Sequence, residues 1–115
     1  MNDPIGNEAL GRRTFLAGMA GDPYFPADLV EEGRAILVRL CQAIEAHPPG
    51  DLAGLYALTE AATEAFNALG EAFEARGSGL ETVARDCIAG DFVAIAAAYG
   101  FEDADPEELM AVRDF

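Results

Sequence analysis

The clearest periodicity in the chain lies between Asp51 and Gly77. Leu52, Leu55, Thr59, Ala62, Phe66, Leu69 and Phe73 recur at steps of three and four, the spacing of one buried helical face. At about 100° per residue, Thr63 and Gly70 fall on the same face. Asp51 is placed to cap this helix and Gly77 to end it at C′. Thr59 and Thr63 are expected to satisfy their hydroxyls on carbonyls one turn back. Gly70 costs about 1 kcal/mol of helix propensity, so close approach of another backbone is expected there. Asn67 sits at the edge of the stripe.

Breakers at Asp22-Pro23, Pro48-Pro49-Gly50, Gly77-Ser78-Gly79 and Asp105-Pro106 divide the rest, and no segment between them alternates as a strand would. A first helix is expected over about residues 7–20, with Leu10, Phe15, Leu16 and Met19 on one side. Tyr24 and Phe25 should anchor the loop that follows. A second helix runs from Pro26 or Asp28 to Ala46. It starts either with Pro26 in the first turn or with Asp28-x-x-Glu31 as a capping box. Its apolar face is Leu29, Gly33, Ile36, Leu37, Leu40, Cys41 and Ile44. A further helix opens on the capping box Ser78-x-x-Glu81 and faces inward with Leu80, Val83, Ala84, Cys87 and Ile88. Gly90-Asp91 reads as a tight joint to another helix carrying Phe92, Ile95, Ala96 and Tyr99. Asp105-Pro106-Glu107-Glu108 caps a last short helix docked by Leu109, Met110 and Val112. The fold class is therefore all-α: one helical domain over residues 1–115, a bundle of five to six helices with residues 1–6 as a flexible N-terminus.

Charge narrows the function. The net charge is −14, and 51% of the 115 residues are hydrophobic. Such a chain has enough apolar surface to fold, and it repels phosphate backbones and anionic membrane surfaces. No nucleic acid and no membrane partner is expected. Residues 1–58 carry net −4 and residues 59–115 net −10. The seven basic residues are all arginine and look too scattered to form a basic site. Arg12-Arg13-Thr14-Phe15-Leu16 resembles an export signal, but Asp22-Pro23 stops the apolar run early and an amphipathic helix explains it better. Cys41 and Cys87 fall on apolar helical faces, as buried thiols in a reducing, cytoplasmic setting would.

The sequence presents no catalytic set, cofactor motif or metal motif. His47, the only histidine, sits at a helix C-terminus, where the dipole favours it. Asp103-x-Asp105 begins like a calcium loop, but Glu108 stands where glycine is needed for the turn. Glu60, Glu64 and Glu71 share the solvent side of the long helix. Glu102, Asp103 and Asp105 extend the acidic surface, which suits a basic protein partner and an interaction or inhibitor-type module. The other candidate is a small-molecule site inside the bundle, built from Thr59, Thr63, Asn67, Glu81, Arg85 and Asp86. There Arg85 either lines a pocket or reaches Asn67, Glu74 or Asp114 as a structural contact.

Tyr24-Phe25-Pro26, Glu81-Thr82-Val83-Ala84-Arg85-Asp86, Tyr99-Gly100-Phe101, Glu107-Glu108-Leu109 and the ending Arg113-Asp114-Phe115 together resemble a family of small uncharacterised bacterial proteins, a domain of unknown function. The resemblance covers roughly residues 14–115. It implies a bacterial, stand-alone, single-domain protein and lends no catalytic residue.

Overall fold

The computed structural model describes residues 5–115, and these hold five helices and no strand. The helices are α1 (Glu8–Arg12), α2 (Ala27–Ala46), α3 (Leu52–Ala75), α4 (Thr82–Ala98) and α5 (Pro106–Leu109). The helical stripe of α3 is buried as its spacing requires: Leu55, Thr59, Ala62, Thr63, Phe66, Leu69, Gly70 and Phe73 all face inward. Asp51 Oδ1 caps it by accepting from the Gly54 N–H at 2.9 Å. At the other end Gly77 takes φ 80°, and the Ser78 N–H returns to the Phe73 carbonyl at 2.9 Å. That left-handed turn is the termination expected of a C′ glycine.

α2 lies along α3, and α5 rests on both α3 and α4. Between α3 and α4 themselves, Phe66 and Phe92 meet edge to face with centroids 6.1 Å apart. The space between these two helices is thus bridged by side chains and by α5.

Two local expectations fail at one residue. Gly90-Asp91 does not break the helix, because α4 is continuous through it to Ala98. The first helix ends at Arg12 rather than near residue 20. Asp91 explains both. Its side chain points into the protein, 2% exposed. Oδ1 accepts from Arg13 Nε at 2.8 Å and Oδ2 from the Leu16 N–H at 2.8 Å. A buried carboxylate needs such donors, and supplying them pulls residues 13–16 out of helical geometry. Leu16 adopts φ 56°, a left-handed conformation that disfavours a leucine by about 1–2 kcal/mol. Its side chain is buried against Gly33, where an added Cβ would stand 2.7 Å from Leu16 Cδ1. Phe25 then anchors the loop on Phe73, with centroids 6.2 Å apart, whereas Tyr24 stays 45% exposed.

Other caps differ from the sequence reading. Pro26 occupies the N-cap of α2 and no side chain caps that helix. Asp28 instead pairs with Arg76 and Glu31 with Arg34. The Ser78 box is not formed, since Glu81 is the N-cap of α4. Val83 is 56% exposed rather than part of the inner face. At Gly70 the close neighbour is a side chain, Leu80 Cδ1, at 3.3 Å from an ideal Cβ. Asp105 and Pro106 do start α5 as expected.

A second polar clamp holds the N-terminal segment. Glu45 accepts from the N–H groups of Gly6 and Asn7, each at 2.9 Å, and from the Tyr99 hydroxyl. Asn7 caps α1 and donates to the Ala98 carbonyl at 3.2 Å. Of the segment expected to be flexible, residues 1–4 lie outside the described residues, while Ile5 is buried.

Two measurements check these anchors. Asp91→Ala leaves the Leu16 N–H without its partner, and should destabilise the fold by about 2–4 kcal/mol in chemical denaturation. Asp86→Ala, at an exposed neighbour, should change stability by no more than about 0.5 kcal/mol. The Tyr99 hydroxyl and the two N–H groups hold the Glu45 carboxyl below its ordinary 4.5. The unfolded chain therefore binds the proton more readily, and the stabilisation is present above 4.5 and lost as pH falls through the lower folded value. Amide protection of Gly6 and Asn7 should fall on acidification, and Glu45→Gln should remove that pH dependence.

Candidate functional site

The edge of α3 that faces α5 is a row of hydrogen-bonding groups. Tyr56, Thr63 and Asn67 follow one another at helical spacing and each bonds the C-terminal segment. The Tyr56 hydroxyl accepts from the Asp105 N–H at 3.0 Å. Thr63 Oγ1 donates to the Thr59 carbonyl at 2.8 Å and lies 3.3 Å from the Leu109 carbonyl. Asn67 Nδ2 donates to the Val112 carbonyl at 3.1 Å, and its Oδ1 accepts from the Asp114 N–H at 2.9 Å. Thr59 and Thr63 are fully buried, so both hydroxyls serve the fold. Thr59 donates to the Tyr56 carbonyl at 3.2 Å.

Beyond Asn67 the row opens into a cleft of about 630 Å³. One wall is the last turns of α3, with Glu71 and Glu74. The other is the segment from Ser78 to Arg85, and Asp114 and Phe115 of the tail close one end. Gly70 and Leu80 form the apolar floor. Three of the expected site residues meet here, Asn67, Glu81 and Arg85. Asp86 is exposed on α4 outside the lining, and Thr59 and Thr63 lie deeper in the bundle.

Arg85 is half-buried. It shares the cleft with Asn67, Glu74 and Asp114, but among the described residues it makes no hydrogen bond or ion pair with them. Ser78 Oγ, also at this cleft, is shielded from solvent and has no partner among the described residues. No side chain caps α4, so its first-turn N–H groups next to Arg85 keep their partial positive charge. The cleft thus holds one guanidinium beside a helix N-terminus, with Glu81 on the same wall, Glu71 and Glu74 on the facing wall and Asp114 at the end.

Glu60, Glu64, Glu71, Glu102, Asp103 and Asp105 are all exposed. Among the described residues only Asp105 of these has a fixed role, accepting from the Glu107 N–H at 2.9 Å. The arginines are less scattered than they look in sequence. Arg13, Arg34 and Arg39 line a second cleft of about 520 Å³ between the loop after α1 and α2. No group of three or more His, Cys, Asp or Glu among the described residues is placed to hold a metal. Burial pushes the Cys87 thiol up, away from the thiolate a nucleophile requires. No helix among the described residues is long and apolar enough to cross a membrane.

Sequence reasoning missed Asp91, Glu45 and Tyr56. Asp91 carried a signal: it stands between Ile88 and Ile95 at helical spacing, inside an apolar stripe where a carboxylate must be paired.

These features define a small all-α bundle with a polar cleft between two helices and the C-terminal tail. The chain belongs to DUF5713, a family of unknown function, which matches residues 9–115. No curated protein and no solved structure matches it.

The tail depends on Asn67. Asn67→Ala should raise amide exchange across residues 110–115 severalfold, while costing the whole fold only about 0.5–1.5 kcal/mol.

Proposed function

We propose that the protein binds a small zwitterionic molecule in the cleft between α3, the start of α4 and the tail. The observation that carries this reading is Arg85, a half-buried guanidinium lining the cleft with no partner among the described residues. An anionic group of the ligand sits on Arg85. Its cationic group faces Glu71 and Glu74. A volume of about 630 Å³ is within the range of small-molecule sites. No catalytic step is proposed, because no nucleophile or base stands beside Arg85. We also infer a reducing, cytoplasmic setting, supported by two cysteines that form no disulfide, and a bacterial source, supported by the sequence resemblance alone.

A second reading rests on a different observation. Glu60, Glu64, Glu102 and Asp103 are exposed and form no ion pair among the described residues, which suits a basic protein partner.

NMR titration with free arginine and free lysine separates the two. The first reading expects shifts at Gly70, Gly79 and Thr82, with affinity reduced about tenfold or more in Arg85→Gln. Absence of shifts at about 10 mM ligand overturns it, since even weak sites of this type saturate there. The second expects capture of a basic protein at low salt that weakens at moderate salt and is lost in Glu60→Gln/Glu64→Gln.

A further inference from the structure

In a chain of net charge −14, a cleft where arginines converge is the exception. Arg13, Arg34 and Arg39 all line the space between the loop after α1 and the outer side of α2. We propose that this cleft is a second site, for a small organic oxyanion carrying a phosphate or carboxylate on a short apolar body.

The first argument is how two of the guanidinia are held. Arg13 gives its Nε to Asp91 at 2.8 Å, and neither of its Nη groups has a hydrogen bond among the described residues. Arg34 gives its Nε to the Phe15 carbonyl at 2.9 Å and its Nη1 to Glu31, so Nη2 remains. Each of these two guanidinia is held at its Nε by the fold, which lowers the ordering entropy a ligand would otherwise meet. Planar forks of this kind match the oxygens of phosphate and carboxylate. Arg39 is exposed and has no hydrogen bond or ion pair among the described residues, so it is available to close over a bound anion.

The second argument is local charge. Three arginines stand against Glu31 and, behind Arg13, Asp91. The site is therefore positive where the molecule as a whole is negative. At the ionic strength of a cell the acids on other faces are largely screened beyond about 8 Å. The third argument is the wall: Phe15, Ala35 and Val38 give it an apolar side, and Gln42 adds an amide. A bare ion would leave that side unused.

The site is distinct from the Arg85 cleft, and the experiment keeps the two apart. Phenyl phosphate, benzoate and inorganic phosphate are titrated at matched ionic strength while the amide resonances of Thr14, Phe15 and residues 34–42 are followed. Phenyl phosphate or benzoate should shift these resonances saturably, and more tightly than inorganic phosphate. Arg39→Gln, which removes no hydrogen bond or ion pair among the described residues, should weaken binding about tenfold or more. Arg85→Gln should leave it unchanged. Which of the two organic anions binds more tightly identifies the preferred head group. Equal, unsaturable shifts for all three anions, or undiminished binding in Arg39→Gln, would overturn the proposal.

Discussion

A single carboxylate organises the N-terminal third of this protein. Asp91 is buried in the middle of α4, and a charge there is tolerated only because donors reach it from 75 and 78 residues away. Meeting that demand ends α1 at Arg12, forces Leu16 into a left-handed conformation and lays residues 13–21 across α4 and α2. Phe15, Leu16 and Met19 enter the core as a consequence. The hydrophobic contacts supply most of the stabilisation, but the ion pair decides which contacts form. Gly33 and Gly18 fit the same arrangement: a Cβ on either would collide, with Leu16 Cδ1 at 2.7 Å and with Cys87 Sγ at 2.6 Å.

The same division of labour recurs at the other edges of the bundle. α2 and α3 are held by apolar stripes, whereas the short segments are tied on by side chains that bond backbone. Glu45 holds Gly6 and Asn7, and Asn67 holds Val112 and Asp114. Short helices cannot bury enough surface to hold themselves in place, so polar clamps set their position. Clamps of this kind leave grooves beside them. The Arg85 cleft opens where α3 passes beyond the reach of Asn67, and the arginine cleft lies beside the segment that Asp91 restrains.

How much of this was legible in the sequence depends on the range of the interaction. The stripe, cap and end of α3 were readable because all three are local, whereas the neighbour of Gly70, the Leu80 side chain, is set by how α4 is reached and was not. The polar edge of α3 was readable in part: Thr63 and Asn67 stand out beside the stripe but Tyr56 does not, and the partners Asp105, Leu109 and Val112 are set by where α5 docks. Gly90-Asp91 reads as a break because glycine and aspartate both disfavour helix interiors, yet the buried pair overrides propensity. Ser78 fits the capping pattern, but the turn that closes α3 consumes its N–H and α4 begins later, at Thr82. Arg13, Arg34 and Arg39 look scattered because their convergence requires the Asp91 bond, which no local pattern announces.

The charge imbalance acquires a geometry from these constraints. The exposed acids of α3 and of the segment before α5 face solvent, while three of the arginines are gathered on the outer side of α2. A cation is attracted at long range by the net charge, and its capture is slowed by salt. An anion is repelled at long range and attracted only within contact of the guanidinium forks. Added salt screens the distant repulsion and weakens the close contacts less, because partly buried pairs are screened less than exposed charges. Anion recognition on this molecule therefore rests on fixed short-range geometry rather than on overall charge, and that geometry is supplied by the Asp91 carboxylate and the Phe15 carbonyl.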